Sequence, residues 1–150
     1  MTSSSIRSNM ERLLQATIDG FSAPLDYDAL RATRSDDFIY QFLPPSLGAP
    51  PRNNDEYKEF FYAQLKPLFQ KFEVGSKSII IDTEARKAAL YGWVDVESVV
   101  GPTSMELVMM LNFTEAGDKI TRIDEFFDSA VYSGFFAKVK EVMGQADEGE

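Results

Sequence analysis

Glu125 lies between Ile123 and Phe127 in the run 119–128, where alternate residues of an extended chain share a face. Thr121, Ile123, Glu125 and Phe127 fall on one side, and Ile120, Arg122, Asp124 and Phe126 on the other. Apolar neighbours disfavour the charged form of a carboxylate, which makes Glu125 a candidate proton donor or base near neutral pH. The plain alternative is a glutamate satisfied by an arginine or by backbone amides. Tyr40 stands between Phe38 and Phe42, where its phenol can donate a hydrogen bond to a substrate oxygen or be tied to the backbone as a core residue. Arg34 is close enough to the preceding helix to reach a pocket mouth or to pair with a carboxylate such as Glu125. Asp124, of opposite parity and beside Arg122, is expected to face solvent or a subunit partner, and Asp128 to cap a helix.

The chain has no histidine and no cysteine, which removes imidazole bases, thiolate nucleophiles, disulfides and nearly every zinc or copper site. Carboxylate, phenol, amide, hydroxyl, guanidinium and ammonium chemistry is left, so no cofactor and no metal are expected. A net charge of -9, with 15 scattered Lys and Arg, repels phosphate backbones and argues against nucleic acid. The first ten residues are polar and Ser-rich, and no later segment is long enough to span a bilayer. The expectation is a cytoplasmic protein with no membrane partner.

These groups need elements to position them. Ile6, Met10, Leu13, Leu14, Ile18 and Phe21 follow the helical period, and Ser8 with Glu11 has capping-box spacing. A short helix fits Asp26 to Thr33, with Asp26 as cap. Phe38 to Leu43 reads as a strand that stops at Pro44-Pro45. Asn53 or Asn54 caps an aromatic helix carrying Tyr57, Phe60, Phe61, Leu65 and Leu68, kinked or ended by Pro67. From Phe72 onward, turn signals at 83–86, 101–102 and 115–118 separate four strand-like runs, an antiparallel meander. A last helix starts with Ser129 as cap and stops at Gly144. The order gives one α+β domain over 1–144, a curved antiparallel sheet wrapped by helices into a cone, and a disordered acidic tail over 145–150.

A cone of this kind is a natural site for a small molecule. Tyr91, Trp93, Asp95 and Glu97 share one strand face, which suits a pocket rim or a dimer interface. Met105, Leu107 and Met109 form an apolar stripe, plain core or an adaptable ligand wall. With Phe61 and Leu65 of the aromatic helix, Tyr91, Trp93, Met105, Leu107 and Met109 are the expected substrate contacts.

Two stretches carry a family resemblance. The first includes Arg34, Tyr40-Gln41, Leu43-Pro44, Ser46-Leu47-Gly48, Pro50, Asn53-Asn54 and Tyr57; the second is Glu125-Phe126-Phe127-Asp128-Ser129. Both resemble small fungal SnoaL-like proteins of secondary metabolism, in the nuclear transport factor two-like superfamily. The resemblance implies a cone-shaped domain, a homodimer packed through its sheets, and cofactor-free action on a biosynthetic intermediate, as in meroterpenoid isomerases and an indole-alkaloid semipinacolase. It also implies that Arg34 and Glu125 position substrate and move protons. The sequence departs from several relatives in carrying Tyr40 where they have histidine, and the absence of histidine separates it from scytalone dehydratase. The expected activity is therefore an isomerase or cyclase acting on a polycyclic terpenoid, polyketide or alkaloid intermediate. The alternatives are a non-catalytic binding or stereocontrol protein, a dimerising adaptor, or a dehydratase.

Overall fold

The computed structural model describes residues 2–22 and 24–148, the side chains of 145–148 excepted. Helix α1 (Ser3–Phe21) is capped by Thr2, whose hydroxyl accepts from the Ser5 N–H. Ser8 and Glu11 thus lie inside the helix and cap nothing. The buried stripe Ile6, Met10, Leu13, Leu14, Thr17 and Phe21 is the one the period requires. Helix α2 (Tyr27–Ala32) begins at Asp26, whose carboxylate accepts from the Ala29 N–H at 3.0 Å. Strand β1 (Arg34–Leu43) starts four residues before the aromatic run, so Arg34 opens a strand rather than trailing a helix.

Asn53 caps α3 (Asn54–Phe60) with a capping box: its side chain accepts from the Glu56 N–H, and the Glu56 carboxylate accepts from the Asn53 N–H. The helix then widens into a π-turn over Phe61–Leu65, closed by the Lys66 N–H bonding to the Phe61 carbonyl at 2.8 Å. The meander follows as β2 (Phe69–Asp82), β3 (Lys87–Ser98), β4 (Gly101–Phe113) and β5 (Ile120–Phe127), each antiparallel to the next. β1 joins parallel to β5, giving the order β1-β5-β4-β3-β2. The sheet is therefore mixed at one edge.

Tyr40, Phe42, Val94, Val96, Leu107, Met109, Leu111, Ile123 and Glu125 are buried on the concave face. Helix α1 packs on β2 and α3 on β1, while α4 (Ser129–Glu148) packs on β4. α4 is capped by Asp128, whose carboxylate accepts from the Val131 N–H, and not by Ser129. It passes through Gly144 and continues to Glu148 instead of stopping there. Residues 145–148 are thus helical where a disordered tail was expected, while their side chains and residues 149–150 are outside the described residues. Among the described residues no helix is long and apolar enough to cross a membrane.

Candidate active site

The concave face and the helices laid across it enclose a cleft lined almost wholly by carbon. Tyr40, Phe42, Tyr57, Phe60, Leu65 and Phe69 contribute from β1, α3, the π-turn and β2. Val94, Met105, Leu107, Met109, Glu125 and Phe127 contribute from the meander, and Tyr132, Phe135 and Phe136 from α4. The cleft holds about 630 Å³ of empty space, its open mouth included. It is a slot walled by rings.

Glu125 is buried in this slot, and its Oε2 accepts a hydrogen bond from the Tyr40 hydroxyl. Loss of water raises the carboxyl to about pH 7, although the Tyr40 hydrogen bond and the positive charge of Arg34 both pull it down. Burial, reinforced by the charge of Glu125, holds the Tyr40 phenol well above its ordinary value, so it stays a donor. Tyr57 stacks on Tyr40 with ring centroids 4.9 Å apart, and burial pushes its phenol up to about 12. The outcome is a carboxyl half-protonated near neutral pH and steadied by a phenol. Such a group can take a proton and return it.

Arg34 is 1% exposed, and its guanidinium lies 4.4 Å from both the Phe38 and the Tyr57 ring centroids. Its Nε, Nη1 and Nη2 are buried without a hydrogen-bond partner. Arg34 thus does not form the expected ion pair with Glu125. It is a buried positive charge held by ring faces behind Tyr40 and Tyr57, and it acts on Glu125 through space.

No family model matches the chain. Monooxygenase AacuP of Aspergillus aculeatus is 30% identical over 121 residues, 80% of this chain and 83% of that protein. The chain belongs to the family of fungal biosynthetic proteins that includes AacuP, and its fold is the SnoaL-like, nuclear transport factor two-like one. Among solved structures, the BvnE pinacolase of Penicillium brevicompactum is 25% identical with a TM-score of 0.80, covering 94% of this chain and 97% of that one. PrhC of Penicillium brasilianum, at 22% identity and a TM-score of 0.84, covers 93% of each chain and is a likeness of fold.

In this SnoaL-like protein the expected site residues divide by face. Glu125 and Tyr40 meet directly, and Leu65, Met105, Leu107 and Met109 line the cleft with them. Tyr91 and Trp93 do not. They sit on the outer face of β3, because Ala88, Leu90, Val94 and Val96 are the residues buried inward. Phe61 also misses the cleft: the π-turn adds a residue to the repeat, so Phe60 shares the face of Leu65, and Phe61 packs on Tyr27, Tyr57 and Tyr62. Tyr57, Tyr132 and Arg52 border the site without having been singled out as site residues. The helical stripe Tyr132, Phe135, Phe136 carried a signal for the second of these. Arg52 ends a Pro-rich loop without periodicity, and nothing in the sequence orients it.

Proposed function

We propose that this protein is a biosynthetic isomerase or cyclase that moves a proton on a polycyclic intermediate with its own side chains. The observation that supports this most directly is Glu125, a carboxyl raised to about pH 7 in an apolar slot and bonded to the Tyr40 phenol. In the proposed step Glu125 Oε1 removes a proton from a carbon next to a substrate carbonyl. The C–H electron pair passes into the carbonyl as an enolate, and the protonated Glu125 returns the proton at another carbon. The sum is an isomerisation with no change of oxidation state. Arg34, fixed behind Tyr40 and Tyr57, lowers the cost of the negative charge during transfer. Two copies are proposed to pack through the outer sheet face that carries Tyr91 and Trp93.

Glu125→Gln keeps the shape of the site and removes the proton shuttle. Turnover of the cognate intermediate is expected to fall about a hundredfold to ten-thousandfold with folding unchanged. Full turnover in this variant would sink the reading and leave a binding or stereocontrol role. The name of the relative AacuP supports a second reading, in which the carbanion that the same deprotonation creates adds to dioxygen, the peroxide takes the proton back from Glu125, and loss of water leaves a new carbonyl. Stoichiometric dioxygen uptake during turnover separates the two.

A further inference from the structure

A second cation faces this cleft from the loop that follows β1. The Tyr40 N–H bonds to the Arg52 carbonyl and the Arg52 N–H to the Tyr40 carbonyl, both at 2.8 Å. Residues directly opposed in an antiparallel hydrogen-bonded pair project from the same face. Arg52 therefore points to the concave side with Tyr40. Its guanidinium rests 3.9 Å from the Phe60 centroid and 5.4 Å from that of Phe42, two rings of the cleft wall. Tyr132, also in the wall, is close enough for Arg52 to draw its phenol downward against the dominant effect of burial.

Among the described residues no carboxylate answers this charge. Arg52 makes no ion pair and no side-chain hydrogen bond, and the acid that influences it, Glu56, is engaged in the Asn53 capping box. Arg34, deeper in the same wall, is also without an anion. In a chain of net charge -9, two guanidinium groups, Arg34 behind Tyr40 and Tyr57 and Arg52 over Phe42 and Phe60, thus border a cleft whose lining carries the single carboxyl of Glu125. Such a site attracts an anionic oxygen. The wall adds a second restriction, since it is made largely of ring faces and edges, on which a flat conjugated body stacks better than a saturated one.

We infer that the substrate is a planar conjugated molecule bearing an anionic oxygen on an sp² carbon, a carboxylate or an acidic enolate, and that Arg52 binds this oxygen at the rim while the ring system enters the slot. The inference rests on the cleft being a substrate site, as proposed above, but not on proton transfer by Glu125. The test uses the full chain and calorimetric titration with three probes of one ring size: naphthoate, the anion of hydroxynaphthoquinone, and uncharged naphthalenemethanol. The anions are expected to bind about tenfold or more tighter than the alcohol, the value of one charge-assisted hydrogen bond. Arg52→Met should abolish that preference and Arg52→Lys should keep part of it, whereas Glu125→Gln, which removes the cleft's own negative charge, should not weaken it. The tighter of the two anions identifies the carboxylate or the enolate as the recognised group. Equal binding of the alcohol, a preference that survives Arg52→Met, or no binding of any flat probe overturns the inference. Loss of turnover in Glu125→Gln with the preference intact keeps the two readings separate.

Discussion

The buried carboxyl of Glu125 ties the stability of this protein to pH. Its folded-state value of about 7 lies above the 4.5 of an ordinary glutamate, so folding tightens its hold on the proton. The resulting stability is complete below about pH 4.5, where both states are protonated, and is lost as pH rises through about 7. Over that window the loss amounts to about 3 kcal/mol, which urea titrations at a series of pH values will read. Glu125→Gln should flatten this fall, and a variant that keeps it would place its source elsewhere. Arg34 sets the opposite balance between stability and activity. Its donors are unpartnered, and its charge is met only by ring faces and, through space, by Glu125, so Arg34→Met, which fills similar space with an apolar chain, should melt no lower than the wild type. Without the cation the Glu125 carboxyl should rise further. The pH–rate profile of the variant is therefore expected to move to higher pH, a shift that lost packing alone would not produce.

Strand parity and helix period carried most of the element-level structure, and the errors fall where a local irregularity breaks the repeat. The alternation that sets Leu90, Val94 and Val96 against Tyr91 and Trp93 was legible, but which side faced the cleft was not, because an aromatic and acidic face suits either side of a sheet. The π-turn moved Phe61 out of register with Leu65, and no residue of Phe61–Leu65 announces a widened turn. Glu125 was legible because a carboxylate breaks the apolar parity of β5, whereas the lack of an ion pair to Arg34 could not be read from residue types. The bend of β2 is another such irregularity. Its register shifts between Ser76 and Ser78, and next to the bulge the Trp93 indole closes over Gly75, where a built Cβ would lie 2.2 Å from the ring. Gly75→Ala should therefore cost about 1–3 kcal/mol through overpacking. All three of the nearest atoms belong to the Trp93 side chain, so the same substitution in a Trp93→Ala background should cost less. A double-mutant cycle in denaturant reads that coupling, and additive losses would reject the clash as the cause.

At the scale of the whole molecule, the sheet separates two apolar surfaces, the enclosed cleft and an outer face open to solvent. On the outer face Ile80, Tyr91, Met110 and Phe126 are exposed, and the pairings Ala89–Met110–Asp124 and Tyr91–Val108–Phe126 align them in adjacent rows. The charges among them are already matched within the chain: Lys77 and the Tyr91 hydroxyl both bind Glu106 at 2.6 Å, and Arg122 binds Asp124 at 3.0 Å. A second copy centred on these rows can therefore face them without bringing unpaired like charges together, while the exposed Asp95 and Glu97 lie farther along β3. An isologous contact about a two-fold axis would put Met110 near its middle, where a carboxylate would be buried against its own symmetry mate. Met110→Glu is accordingly expected to turn a dimer into a monomer in sedimentation equilibrium at micromolar concentration. The cleft lies on the opposite side of the sheet and is lined by one chain, so the monomeric variant should still bind the anionic naphthalene probes as tightly as the wild type. A wild-type monomer at that concentration would remove the outer face as an interface, and lost probe binding in a folded monomer would mean that dimerisation shapes the cleft from behind.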